Sequence, residues 1–441
     1  MSSEEVDPWA WAHETEHDDV PPRGADRVTA IIVTHNGAPF IGRAVVELSR
    51  LAQRPGHIIA VDTGSTDATH RVLDQALAEG IIDQIIDAPA DIGFAAAVNR
   101  AVAESTALPP LWYWLLHDDC WPRRDTLTEL LRVATEPDFA TGPAIVLPKL
   151  LRPHQRNHPD QVSSIGETIA RSGGRIVSVE PGEIDQRQDE SMAVLGGATA
   201  GMLVRADSLS ELGGLAEGLA YFRTGVELGW RAHRLGMQVE TCPDAGMYHE
   251  QASWRGRRDS KSALDPEAHD LAAGMRVVQM HSSVPHLTGV RLRIINRAHY
   301  IQAALAKDSG RTKLFAQAAR AFAETRGDLP GLLELTAPIK RDSVRVPKGL
   351  LPGRFWGFGR FIQRGVGLIE SWWRRLMGST AGIGIDDLTS DEADSHFYAK
   401  PPLPRVGIVS VLLALCSVLA FRGLIGFGQP VSTSLLPPPE T

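Results

Sequence analysis

The stretch VTAIIVTHNG, residues 28–37, decides the fold. It opens with an apolar, β-branched run too short for a helix and stops at the polar turn Thr34-His35-Asn36-Gly37. A run with no alternation belongs to a strand buried on both faces, and such a strand needs helices on either side of its sheet. The sequence supplies them. FIGRAVVELSRLA (40–52) has helical spacing, and HIIAVDTGS (57–65) repeats the strand-then-turn pattern. ATHRVLDQALAEG (68–80), IIDQIIDAP (81–89), FAAAVNRAVAE (94–104) and LWYWLLHDD (111–119) continue the alternation. Strands alternating with helices of this length predict an α/β, Rossmann-like, mostly parallel sheet with helices on both faces. Ligands of such sheets sit beyond the carboxyl ends of the strands. Here three strand ends carry polar residues: Thr34, His35 and Asn36; Asp62, Thr63 and Ser65; His117, Asp118 and Asp119.

Working outward, 441 residues with 43% hydrophobic content exceed one ordinary domain and allow a sizeable core. A net charge of −8 gives no general attraction to nucleic acid, so any phosphate or lipid contact must come from local patches. Cys120, Cys242 and Cys416 lie far apart and read as reduced thiols rather than a disulfide framework. Residues 1–26 form an acidic arm without the features of a secretory signal. The main α/β domain is expected over 27–258, with an irregular Gly/Pro/His/Arg-rich insertion at 141–190, a strand and helix in 196–214, a helix at 226–236 and a return strand at 237–244. Residues 259–338 form a helical accessory region, with helices expected in 268–281, 291–306 and 311–327. The segment 339–400 begins with nine basic against two acidic residues between Lys340 and Met377, interleaved with Phe355, Trp356, Phe358, Phe361, Trp372 and Trp373, as a helix lying at a lipid interface requires. Within 401–441, the uncharged run Val406–Phe421, extendable to Phe427, predicts one transmembrane helix. Lys and Arg are abundant before it and nearly absent after it, which puts the α/β domain on the cytoplasmic side of the cell membrane.

VTAIIVTHNG, AVDTGSTDAT, DIGFAAAVNRA and LLHDD, taken in this order and spacing, resemble the family 2 glycosyltransferases of GT-A fold. GGATAGMLVRADSLSELGG and the W-R helix VELGWRAHRLG resemble the acceptor half of that family, in the manner of actinobacterial cell-envelope galactofuranosyl and rhamnosyl transferases. The resemblance covers about residues 27–258. It implies an inverting transferase that moves a sugar from a UDP- or dTDP-linked donor to a lipid-linked or polymeric envelope glycan. Thr34, Asn36 and Asp62 would hold the nucleoside, Gly93 and Asn99 would line the donor site, and Asp118 would contact ribose or metal. Asp119 and His249 would ligate a Mg2+ or Mn2+ ion, which needs hard ligands and offsets charge on the leaving nucleotide. Asp91 replaces the usual Asn of the N-x-G stretch, and His117, at the first acidic position of the D-x-D motif, reads as a packing residue.

One departure matters for catalysis. Where the family carries an acidic pair whose second member is the general base, this chain has Thr224 and Gly225. Glycine cannot take a proton, so the base is expected to be Glu227, or a carboxylate from elsewhere such as Glu217. Without one, the alternative is a catalytically impaired, membrane-anchored pseudo-glycosyltransferase that binds or scaffolds envelope-biosynthesis partners.

Overall fold

The computed structural model describes residues 24–353, apart from 91, 136–141, 154–158, 178, 180, 220–221, 259–264 and 342–343. Residues 1–23 of the acidic arm, the basic aromatic segment beyond 353 and the run Val406–Phe427 lie outside the described residues. No helix among the described residues is long and apolar enough to cross a membrane.

The first half follows the alternation. Strand β1 (Val28–Thr34) leads into helix α1 (Ala38–Ser49), β2 (His57–Asp62), α2 (Thr69–Ala78), β3 (Gln84–Asp87), α3 (Gly93–Glu104) and β4 (Trp112–His117). β1 runs parallel to both β2 and β4, and β2 is parallel to β3. Ile31, Ile32, Ile58 and Ile59 are fully buried because α1 and α2 cover one face and α3 the other.

The second half is not parallel. β5 (Cys120–Pro122), α4 (Thr126–Thr135), β6 (Ile145–Arg152), β7 (Gln161–Ser164), β8 (Glu167–Ile169) and β9 (Arg175–Val177) precede β10 (Leu203–Arg205), α5 (Ala206–Glu211), α6 (Thr224–Arg234) and β11 (Val239–His249). The nine-stranded sheet has the order β3-β2-β1-β4-β10-β6-β11-β5, with β7 against β6. β10 is antiparallel to β4 and β6, and β5 is antiparallel to β11, so the sheet is mixed rather than mostly parallel. Among the described residues no helix lies between β9 and β10, whereas a connection between parallel strands usually carries one. The supposed irregular insertion at 141–190 also contains four strands, β6 to β9, with β8 and β9 forming a separate two-stranded sheet. Apart from Pro148 inside β6, its Gly and Pro residues fall outside the strands and break the segment into short runs, which obscured the period.

Helices α7 (Pro266–Met280), α8 (Pro285–Leu305), α9 (Ser309–Glu324) and α10 (Leu329–Arg341) follow. They do not stand apart from the sheet-bearing half. Met275, Val277, Met280, Leu292, Phe322 and Leu332 share one core with Ile169, Leu195, Val226 and Trp230. Asp270 of α7 ties this join, accepting from Arg223 (Nε 2.8 Å, Nη2 2.6 Å) and from Arg175 (2.7 Å).

Candidate functional site

Each of the three parallel strand ends turns sharply. Asn36 takes a left-handed conformation (φ 47°), its N–H donates to Ser65 Oγ (2.9 Å), and its side-chain oxygen accepts from Thr66 N (2.8 Å). Asp62, buried at the end of β2, accepts from the Ser65 N–H (3.0 Å). His35 Nδ1 meets the Thr63 carbonyl at 2.7 Å. The first and second strand ends are thereby latched together.

The third end lies against the first. Thr34 Oγ1 donates to Asp118 Oδ2 (2.8 Å), and Gly37 packs so closely that a Cβ there would fall on both atoms, with Asp118 Cγ at 3.0 Å. Only glycine permits this approach. Asp118 also receives Arg258, whose Nη1 donates to Asp118 Oδ2 (3.1 Å) and to the His35 carbonyl (3.0 Å) while Nη2 engages Oδ1. Burial pushes the Asp118 carboxyl up despite this partner.

Asp119 joins the rim to the end of β11. His249 pairs with Cys120 across the β5/β11 ladder, which places its imidazole beside Asp119, Nε2 to Oδ1 3.4 Å. The Ala252 N–H donates to Asp119 Oδ2 (2.8 Å), and the Glu250 N–H to the Asp119 carbonyl (2.9 Å). Burial opposes ionisation of Asp119, but His249, His117 and Arg258 outweigh it and hold the carboxyl well below the usual range. His117 completes the group. Burial, then the neighbouring His249, lowers its pKa to about 3, so it is a neutral imidazole, and Nε2 lies 2.9 Å from Thr199 Oγ1.

His117, Asp119 and His249 each place a ligand atom within 4.8 Å of the other two, an arrangement able to hold a metal ion. The chemistry of the set fits one: an anionic carboxylate, a neutral imidazole, and a second imidazole whose buried Nδ1 has no hydrogen-bond partner. The packing role expected of His117 from sequence is therefore incomplete. Its position immediately before two acids at a strand end was the signal, and only the return of β11 brings His249 to it.

Gly93 begins α3 with φ +74°, and Asp91 lies outside the described residues. Two expected residues are not brought to the rim. Asn99 stands six residues into α3, about 9 Å along it, and both ends of its amide hold the loop after α5: Nδ2 to the Leu215 carbonyl (3.0 Å) and Glu217 (2.8 Å), Oδ1 from Leu215 N (2.8 Å). That contact also engages Glu217, the other carboxylate considered for catalysis. Glu227 is fully buried, doubly paired with Arg231 (2.7–3.0 Å) and contacted by His281 Nε2 at 3.2 Å. Burial resists its charge, yet Arg231 and His281 keep its pKa below the ordinary value. An acid already saturated by a buried guanidinium is a strut between α6 and α7, not a base facing a substrate.

Gly225 has a structural reason. A Cβ there would overlap the Gly197 carbonyl and lie 2.7 Å from Met202 Cε, and one at Gly229, one turn on, would overlap the Leu195 carbonyl. The pair lets α6 rest directly on the 195–197 backbone.

The ends of β1, β2 and β4 thus gather acids, imidazoles and an arginine at one rim of a mixed sheet packed with helices, an arrangement that fits the GT-A fold. Residues 29–204 match the family described as Glycosyl transferase family 2, and the match supports a glycosyltransferase. It is 25% identical over 319 residues to the N-acetylglucosaminyl-diphospho-decaprenol L-rhamnosyltransferase of Mycobacterium tuberculosis (strain ATCC 25618 / H37Rv), covering 66% of this chain and 97% of that protein. Among solved structures, it is similar to a mannosyltransferase from Pyrobaculum calidifontis in complex with GDP-Man and Mn2+ (16% identity, TM-score 0.40, 84% of this chain and 93% of that one). It is also similar to GalNAc-T7 with UDP, GalNAc and Mn2+ (12% identity, TM-score 0.45, 73% of this chain and 58% of that one).

Proposed function

We propose that the protein transfers a sugar, with inversion, from a nucleoside-diphosphate donor of the UDP or dTDP type to a lipid-linked cell-envelope glycan. The observation that carries the donor half is the His117–Asp119–His249 group set beside the Arg258–Asp118 pair at the rim. The lipid-linked acceptor is supported by the name of the mycobacterial relative. Attachment to the cytoplasmic face of a membrane is supported by the uncharged run Val406–Phe421 and the cations before it.

In this reading His117, Asp119 and His249 hold a divalent ion, and two imidazoles favour Mn2+ over Mg2+, which prefers oxygen ligands. Bound there, the ion supplies positive charge to the leaving diphosphate. Asp62 and Asn36 keep the β1 and β2 turns rigid, and Arg258 neutralises Asp118 so that the rim does not repel an anionic donor. Neither Gly225 nor Glu227 deprotonates the acceptor, so that task falls to another carboxylate.

The test is calorimetric titration of the full chain with UDP, dTDP and GDP, each with and without Mn2+, followed by transfer assays on an N-acetylglucosaminyl-diphospho-lipid. Mn2+-dependent binding of UDP or dTDP, abolished in Asp119→Ala and His249→Ala, is expected. Binding indifferent to Mn2+ and to both variants would overturn the assignment of the donor site.

A further inference from the structure

Helix α8 carries apolar side chains on two opposite faces. Thr288, Leu292, Asn296 and Ala303 are buried against the core. At 3.6 residues per turn, Leu287, Val290, Ile294, Ile301 and Leu305 fall on one stripe about half a turn away. All five are exposed, from 47% at Val290 and Ile301 to 78% at Leu305. From Leu287 to Leu305 the stripe spans 19 residues, about 27 Å along the helix axis.

Its charges have one sign. The 21 residues of α8 contain Arg291, Arg293 and Arg297, all exposed, and no Asp or Glu, in a chain of net charge −8. Arg293 and Arg297 flank the stripe on the side where Tyr300 and Ala304, with Lys307 and Lys313, line an open hollow of about 480 Å3. Among the described residues, none of the three arginines forms an ion pair within 4.0 Å.

We propose that this face of α8 docks on the surface of an anionic lipid bilayer, with the stripe at the acyl boundary and the arginines and lysines among the headgroup phosphates. An exposed apolar stripe edged by cations is what a helix lying in the interface presents. Three arginines among 21 residues keep it on the surface rather than across the membrane. A second copy is a poor occupant, because a twofold contact through the stripe would oppose the arginines of one copy to those of the other. Nucleic acid would use the cations and leave the stripe in water. The inference goes beyond the transfer reaction, since docking requires neither donor nor acceptor.

The experiment uses the full chain with Cys416→Ser and Ile294→Cys, labelled with an environment-sensitive fluorophore; the thiols of Cys120 and Cys242 are buried. Vesicles are phosphatidylcholine alone or with about one part in four phosphatidylglycerol. A blue shift at position 294 and shielding from an aqueous quencher are expected with the anionic vesicles. Replacing arginines by glutamine should weaken that signal's vesicle affinity about fivefold each, roughly a hundredfold for Arg291, Arg293 and Arg297 together. Full-chain flotation with vesicles while the probe at 294 stays in water would overturn the proposal, placing the attachment elsewhere, as in the segment 406–427. So would a vesicle-independent shift that grows with protein concentration, which identifies a second copy, or a vesicle signal indifferent to the arginines.

Discussion

Substituting Gly225 separates a packing requirement from a catalytic loss. A Cβ at 225 lies 2.7 Å from Met202 Cε, 3.2 Å from Thr199 Cγ2 and closer still to the Gly197 carbonyl, whereas ordinary contact begins near 3.4 Å. Relief requires α6 to back off by about 1 Å, and a gap of that size forfeits a quarter to a half of each contact's dispersion well. Val226, Leu228 and Trp230 of the same helix are buried and would share the loss. Gly225→Ala should therefore cost about 1–3 kcal/mol as overpacking, more than the helix-propensity gain of at most about 1 kcal/mol near a helix start. Gly225→Asp adds a desolvated carboxylate facing a carbonyl oxygen and should cost roughly 3 kcal/mol or more. Gly42→Ala in α1, where a Cβ meets nothing within 4 Å, should instead gain about 0.5–1 kcal/mol. Thermal melts and urea titrations of the three variants read these differences, each kcal/mol moving Tm by about 2–4 °C. The reasoning is refuted if Gly225→Ala melts with the parent, or if Gly225→Asp folds normally and speeds transfer.

Glu227→Gln should behave as a stability variant, losing about 3–5 kcal/mol because Arg231 is left buried without its counter-charge; a parent-like melt with selective loss of turnover would restore Glu227 as the base. Asp270 has a pKa lowered to about 2, with burial opposing and Arg175 and Arg223 producing the shift. The unfolded chain takes up the proton first, so this stabilisation is complete above about pH 4 and is lost as pH falls through the folded value. Roughly 2–3 kcal/mol of acid sensitivity between pH 4 and 2 should then disappear in Asp270→Asn, measured against the parent's own pH curve. Asn99→Ala, which opens the clasp on Leu215, should cost about 1–3 kcal/mol and leave Mn2+-dependent nucleotide binding intact, so calorimetry showing lost binding would return Asn99 to the donor site.

The strand-helix alternation from Val28 to Asp119, and the gathering of Thr34, Asp62, Asp118 and Asp119 at one rim, were readable because local period and turn chemistry govern them. A buried parallel strand must be apolar along its length, so the polar residues that end it stand out. The mixed half was not readable: β10 is three residues long, and its direction depends on which neighbour accepts its hydrogen bonds. Likewise Glu227 and Asn99 match a motif by spacing, but whether a side chain faces a ligand or a buried partner depends on residues far along the chain. His281 is 54 positions from Glu227, and Leu215 is 116 from Asn99. Sequence thus determined the class of protein and the strand ends that build its rim. Only tertiary structure decided that His249 meets His117 and Asp119, that Arg258 closes on Asp118, and that α6 needs glycine where a carboxylate was expected, because each is a long-range contact set by packing rather than by local propensity.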